Sequence, residues 1–496
     1  MSFISIAFAI FLPIVFLCYW FLVNKNLKSQ NLFLLFASYF FYGWWDWKFL
    51  FLLIFLSTTN YFIGIEIDRN TLKKWRKIWL LAGLLMNLGI LAVFKYFNFF
   101  VDSFVDLISL TGYHLSKSTI KIILPLGISF YVFLSLSYIL DIYKNTLSAN
   151  RNITEVLLSF SFFPIILAGP IQRPSTLMPQ IAAKRVFNYN QSADGLRQIV
   201  WGLFVKVVIA DNLAFYVNDI FLNYSGYRGS LLLIGAVFYS IQIYADFSAY
   251  SDIAIGTAKL FGFNLMRNFA YPYFARDITE FWKRWHISLT SWFRDYLFLP
   301  LSFSISWRIK GGQVLFIKSD QLIYIVASAI TWFLTGLWHG ANYTFLIWGM
   351  IHGLFLIIYR LQTKPRKRIL KKIGINNNSK VVVFCESVVT LSIVAIAWIF
   401  FRADSIGHAL KYIEGIFSGS LFTIPAFNYS RLMFLIITML TILFIAVEWT
   451  GRKEQYAIAA LGVKFPGVLR WAVYYLLIFV IFIFAGSGQR FIYFQF

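Results

Sequence analysis

What most limits this chain is the recurrence of apolar stretches long enough to cross a bilayer. They lie near 3–23, 31–65, 78–100, 122–143, 153–169, 198–222, 231–262, 322–338, 342–360, 382–401, 430–448 and 469–486. A membrane helix needs about 20 such residues to cross the hydrocarbon core, and several of these stretches have room for two crossings or for one broken one. The pattern predicts an all-α polytopic membrane protein with roughly 10–12 spans plus re-entrant or interfacial helices. Composition closes the alternatives. Of 496 residues 59% are apolar and 13% charged, too few polar side chains to cover a water-soluble domain. The net charge of +23 arises from basic residues set between the apolar runs and not along one exposed stripe. That excludes nucleic acid as a partner and points to basic loops held in the cytoplasm, with lipid as the surrounding solvent. Cys18 and Cys385 both lie within apolar runs, so neither a disulfide framework nor a Cys-rich metal site is expected.

The first run lacks a basic leader and a small-residue cleavage site, so it reads as a span of a multi-pass cell-membrane protein. Lys25 and Lys28 follow it directly. Residues 69–77 carry five basic and no acidic side chains, and 360–372 carry seven basic and none acidic, which places both in the cytoplasm. Arg452, Lys453, Lys464 and Arg470 mark a last inside loop, so both termini are expected outside. No tandem repeat or composition shift divides the chain. It reads as one integral-membrane domain over 1–496, with 371–380 a polar connector.

Between about 264 and 310 the spanning pattern fails. Seven basic and three acidic residues are interleaved there with Trp282, Trp285, Trp292 and Trp307, as in a helix lying at the headgroups or re-entering from the cytoplasmic side. Asp277 and Glu280 have the spacing of a capping box, and Glu280 and Arg284 that of an i,i+4 pair. His286 follows, where the plain reading is an interfacial polar residue. Within the spans, polar groups carry more weight because a charge at membrane depth is costly. On a helix Gln242 and Asp246 share one face, and Ser248 and Asp252 another, so this segment should meet polar groups on two sides. Asp246 reads equally as part of a buried hydrogen-bond network or as a direct participant. Pro164, Pro170, Pro174 and Pro179, with Gly169 and Arg173, break a second region.

The segment 335–342 (TGLWHGAN) ends one apolar run and opens another. Gly336 and Gly340 are spaced for close helix approach, as are Gly349 and Gly353. His339 stands between two glycines at membrane depth, where an imidazole is either bonded into the packing or functional. His114 and His408 fall in loop-like or span-end contexts. His352 lies 13 residues past His339, which on one helix would turn it over 100° away. The terminal 490–496 (RFIYFQF) is nearly all apolar, so it is expected to dock and not to fray in water.

The runs LPLGISFY (124–131), AGPIQRP (168–174), YADFSAYSD (244–252), FWKRWHISLTSWFRDYLFLPL (281–301), LTGLWHGANYTFLIWGMIHG (334–353), WIFFRADS (398–405) and FIYFQF (491–496) carry a resemblance. Together they resemble the membrane-bound O-acyltransferase superfamily, and within it the bacterial alginate O-acetyltransferase branch. The similarity runs from near Ala37 to the last residue. It implies a ring of tilted helices around a thinned centre, with an external funnel meeting a cytoplasmic donor path. It also implies that His339 matches the catalytic histidine and His286 the second one on the cytoplasmic side. The implied reaction moves an acyl group, expected to be acetyl, from a cytosolic thioester such as acetyl-coenzyme A to an extracytoplasmic polysaccharide. No bound cofactor is implied; acetyl-coenzyme A is a substrate. An SGNH-type periplasmic acetyltransferase is the implied partner.

For that chemistry an imidazole must take the proton of a poor hydroxyl nucleophile, the role His339 fits. Trp338, Asn342 and backbone N–H groups near Gly340 are candidate donors to the oxyanion, and Asp246 a candidate positioning group. Arg276, Lys283 and Arg284 could attract coenzyme A phosphates, although no glycine-rich phosphate loop accompanies them. Tyr493 has two readings: an acyl relay on its phenolic oxygen near His339, or part of a plug that seals the funnel. Other functions remain in view at this point. One is D-alanyl or lipid O-acyl transfer by the same chemistry, and another is a non-enzymatic transporter.

Overall fold

A computed structural model of the chain describes all residues except 110, 114–121, 168, 310, 315–316, 426–428, 462–464, 487, 490 and 493–496. His114, Arg490 and Tyr493 therefore lie outside the described residues. The only strands among those described are Gln313–Val314 and Ile317–Lys318, an antiparallel pair of two residues each. The chain is an all-α polytopic membrane protein. Among the described residues nine helices are long and apolar enough to cross a membrane, and Ile6–Leu22, Ile128–Tyr143 and Ile153–Ile166 are shorter apolar helices.

The departures from the sequence pattern have local causes. The stretch 31–65 divides into Leu27–Gly43 and Trp47–Arg69 because Asp46 caps the second helix, accepting the Lys48 N–H at 2.9 Å. The stretch 153–169 breaks at Phe162, two residues before Pro164, whose ring removes a helix donor. The basic run 360–372 is not a loop. It forms the end of the helix Tyr343–Lys372, since lysine and arginine are good helix formers and suit the negative end of the helix dipole.

The described chain forms two compact units. The first comprises Met1–Leu203 and Tyr250–Met266. Its helices approach closely at small residues: a Cβ on Gly64 would come within 2.5 Å of the Tyr138 ring, and one on Gly83 within 2.8 Å of Ile139. Asn60 and Asn87 exchange side-chain hydrogen bonds in its interior. Arg185 is buried and donates to the Tyr19 hydroxyl, Asn31 Oδ1 and the Ile181 carbonyl, which satisfies a charge that would otherwise be expensive to bury. Asp252 accepts from Gln198 at 2.7 Å.

The second unit comprises Phe204–Ala249 and Arg267–Phe496. At its heart the helices Ser319–His339 and Tyr343–Lys372 form a tight antiparallel hairpin. A Cβ on Gly336 would lie 2.5 Å from the Phe345 carbonyl oxygen, and one on Gly349 2.4 Å from that of Trp332. The predicted small-residue seam is therefore a backbone-to-backbone contact. The polar stretch 264–310 becomes short helices, Ile278–Arg284, Ile287–Phe293 and Leu299–Arg308, the last two joined by the π-helical Arg294–Phe298; none is long enough to span. A cavity of about 590 Å³ opens beside the helix Lys380–Arg402, lined by residues including Leu233, Ile241, Val394 and Ile413. None of the described histidines lines it.

Candidate active site

His339 is the last residue of its helix. Gly340 is extended, and Asn342 then caps the returning helix, its Oδ1 accepting the Thr344 N–H at 3.0 Å. The hairpin thus stops one helix at His339 and starts the next at Tyr343, with three residues between. His339 is 5% exposed, with its ring centroid 4.7 Å from Trp338, 4.6 Å from Trp348 and 5.1 Å from Phe401. Asn342, a candidate oxyanion donor, directs its Nδ2 to the Asp404 carbonyl, so both ends of its amide serve the turn.

His286 is built differently. It sits between the helices Ile278–Arg284 and Ile287–Phe293 at φ 42°, a left-handed conformation that a non-glycine residue adopts only when its surroundings impose it. Asn268 imposes it. Its carbonyl accepts the Ile287 N–H at 2.8 Å, and its Oδ1 accepts the Ser288 hydroxyl at 2.9 Å and lies 3.0 Å from His286 Nδ1. An oxygen facing Nδ1 assigns the proton to Nδ1 and leaves Nε2 with the lone pair. The ring is 1% exposed, and burial lowers its pKa below the ordinary histidine value, which keeps it neutral. The imidazole, for which the sequence left an interfacial and a functional reading open, is buried, oriented and neutral.

An aromatic layer runs between the two histidines. His286 packs on Phe269 (6.2 Å), Phe269 on Trp285 (5.1 Å), Trp285 on Trp398 (4.9 Å), Trp398 on Trp348 (5.7 Å), and Trp348 on His339. His352 joins this layer. Because the helix breaks at Gly340, the 100° separation expected on a continuous helix does not apply, and the His352 ring lies 5.0 Å from the same Trp348. Its Nδ1 accepts the Trp282 indole N–H at 3.3 Å. Sequence reasoning set His352 aside and passed over Asn268. The helix break was the available signal for the first, whereas nothing local marks a loop asparagine 18 positions from its histidine.

The other candidates separate. Arg276 binds the Glu386 carboxylate, which Arg366 also contacts at 2.5 Å, and the Asn377 carbonyl. Arg284 pairs with Glu280 at 2.5 Å, as its spacing predicted. Glu280 does not complete a capping box to Asp277. It accepts the Arg276 N–H instead, while Asp277 caps the helix through the Thr279 and Glu280 amides. Lys283 is exposed. Asp246 lies with a lysine that the sequence reading passed over: Lys206 Nζ is 2.7 Å from its Oδ1, and its Oδ2 accepts the Ile492 N–H at 2.7 Å. Phe491 and Ile492 are buried, and the Phe491 ring stands 5.7 Å from Phe247, itself 4.6 Å from His286. The described end of the chain thus packs on the ring that covers His286, whereas the sequence directed it toward His339.

The family model for the membrane-bound O-acyltransferase family matches residues 146–401, which include both histidines and the hairpin. The chain belongs to this family. It is 36% identical over 448 residues to the probable alginate O-acetylase AlgI of Pseudomonas aeruginosa, covering 90% of this chain and 80% of that one. It is 34% identical to the peptidoglycan O-acetyltransferase of Helicobacter pylori over 82% of this chain and 77% of that one. The teichoic acid D-alanyltransferase of Bacillus subtilis is 28% identical over 49% of this chain and 60% of its own length. The protein is a membrane O-acyltransferase.

Proposed function

We propose that this O-acyltransferase takes an acetyl group from a cytosolic thioester, acetyl-coenzyme A, and passes it across the cell membrane for O-acetylation of an extracytoplasmic polysaccharide. The similarity to alginate and peptidoglycan acetylating enzymes over most of the chain supports the acetyl group and the acceptor class. His339 is the general base. It removes the proton of the attacking hydroxyl as that oxygen bonds to the thioester carbonyl carbon. The C–S bond then breaks, the imidazolium returns the proton to the departing thiolate, and the products are an ester and a free thiol. The indole N–H of Trp338 and backbone amides near Gly340 are the candidate donors to the oxyanion; Asn342 holds the turn that presents them. His286, neutral with Nε2 as acceptor, orients the donor from the cytoplasmic side, and the exposed Lys283 offers positive charge to its phosphates, whereas Arg284 is paired with Glu280.

The first acceptor in this reading is the phenolic oxygen of Tyr493. A phenol leaves far more readily than a sugar alkoxide, so an aryl ester keeps the acyl group reactive for transfer to an SGNH-type periplasmic partner. Burial of Phe491 and Ile492 supports a segment held inside the protein, on the Phe247 ring that covers His286, and the relay requires Tyr493 to reach His339 from there. The observation that carries the reading is His339 at the break of the hairpin, buried among rings inside the family's matched segment. Polysaccharide acetylation in cells expressing comparable amounts of wild type and His339→Ala is the test. Loss of acetylation with the protein still inserted is expected, and near-normal acetylation would overturn the assignment. Tyr493→Phe tests the relay separately, since it keeps the apolar surface and removes only the hydroxyl. Wild-type acetylation in that variant would leave Tyr493 as a plug.

A further inference from the structure

We propose that Lys206, with Asp246 and Asp211, is a clamp that positions the C-terminal segment for the onward acyl step. The inference rests on the relay reading above and adds what holds the relay in place. Lys206 Nζ lies 2.6 Å from Asp211 Oδ1 and 2.7 Å from Asp246 Oδ1, with the lysine side chain 1% exposed and the carboxylates 12% and 4%. A cluster of three charges inside membrane-spanning helices is expensive to bury and persists only where its geometry answers a need.

Here the polar atoms turn toward the chain end. Lys206 Nζ donates to the Gln489 carbonyl at 3.2 Å, and the Ile492 N–H donates to Asp246 Oδ2 at 2.7 Å. The cation holds a carbonyl and the carboxylate holds an amide three residues further on. Both contacts are made to backbone, so the grip fixes the register of the chain and not the identity of its side chains. Tyr493 is the next residue in the sequence. Between the two contacts Phe491 packs on Phe247, which seats the segment beside His286.

The helix carrying Lys206 is altered at this point. Val205–Ala210 is a π-helical insertion in the span Tyr189–Leu222, a feature that recurs at functional sites. Asn212 Nδ2 donates to the Val207 and Val208 carbonyls, which the widened turn makes available. A terminal segment ordinarily frays. This one is tied at two points to a charge cluster whose own burial is costly, so the cluster is a positioning device and not surplus packing.

The test measures tail exposure and turnover on the same full-length variants. A cysteine replaces Gln495 in a background carrying Cys18→Ala and Cys385→Ala, and its reaction with a maleimide is timed on purified protein. Polysaccharide acetylation is read in cells. Lys206→Met and Ile492→Pro should each speed labelling and lower acetylation by roughly tenfold, the shift expected from losing one charge-assisted hydrogen bond. Ile492→Val keeps the N–H and nearly all of the buried side chain, and should shift both far less than Ile492→Pro does. Lys206→Arg should restore slow labelling. If Lys206→Met is not recovered as a monodisperse protein, Ile492→Pro decides, because it leaves the buried charges intact. Wild-type labelling in Ile492→Pro would overturn the clamp, as would fast labelling with undiminished acetylation. Tyr493→Phe should lower acetylation with labelling unchanged. If it acetylates normally, the relay fails and acetylation no longer reads the clamp, so the labelling rates of Lys206→Met and Ile492→Pro alone decide whether the clamp exists.

Discussion

His339 and His286 are both buried imidazoles in one compact unit, and the contacts described around them differ in kind. The surroundings described for His339 are the faces and edges of Trp338, Trp348 and Phe401, presented by a helical hairpin whose glycines bring two backbones into contact. His286 is held at a break between short helices, at positive φ, by hydrogen bonds from one asparagine and its neighbours. Rings fix where an imidazole sits. Hydrogen bonds fix which nitrogen carries the proton. In the proposed reading His339 exchanges protons with reactants, and His286 is a positioned partner of defined tautomer.

The largest effect should separate the two directly. His339→Ala is expected to lower acetyl transfer by ~10²–10⁴-fold, the range for loss of a general base. His286→Ala should fall by less and weaken binding of labelled acetyl-coenzyme A to the purified protein. Equal losses, with donor binding unchanged in both, would erase the distinction.

The second prediction changes the His286 proton without removing its ring. Asn268→Asp places a carboxylate 3.0 Å from Nδ1, and a nearby negative charge favours the imidazolium by about 1–3 pKa units. In the wild type, burial keeps the ring neutral well below pH 7, so His286 contributes no acid limb near neutrality. The variant should gain one in mildly acid solution, losing activity as pH falls through the raised pKa and recovering it at higher pH. A pH profile superimposable on the wild type would mean that His286 has no lone pair in use.

How much of this was legible follows from the range of each interaction. The glycine seam could be read because Gly336, Gly340, Gly349 and Gly353 act through local spacing, and so could the Glu280–Arg284 pair. The break at 264–310 was legible from polarity alone. The cradle of His286 was not, since Asn268 reaches it through a loop, and neither was the convergence of His352 on Trp348, which depends on the helix ending at His339. Lys206 could have been noticed as a charge within an apolar run, but its partner Ile492 is remote in sequence and no periodicity connects them. Local rules find elements and seams, whereas partners brought together by tertiary packing leave no mark in either neighbourhood.

A third prediction tests the hairpin side by packing alone. A Cβ on Gly336 would sit 2.5 Å from the Phe345 carbonyl oxygen, a backbone atom that cannot move aside cheaply. Gly336→Ala should therefore cost about 1–3 kcal/mol, seen as a lower melting temperature of the purified protein. Activity should fall with it, because the same contact sets where His339 ends its helix. Unchanged stability would show that the seam has slack and that the rings alone place His339.

The smallest effect concerns His352, where the two modes of support meet. Its ring packs on Trp348 as His339 does, while its Nδ1 accepts a hydrogen bond from Trp282, a fixed tautomer of the kind seen at His286. Trp282→Phe keeps an aromatic ring against Trp332 and His352 and removes the donor together with part of the buried indole volume. A buried acceptor left without its partner costs about 1–3 kcal/mol, so the melting temperature should drop slightly. If His352 serves only to support Trp348, acetyl transfer should stay within about threefold of wild type, since loss of a single neutral hydrogen bond is a small perturbation to a ring still packed on its neighbours. A larger loss of activity than of stability would move His352 from the scaffold into the chemistry, and the active site would then rest on three imidazoles and not two.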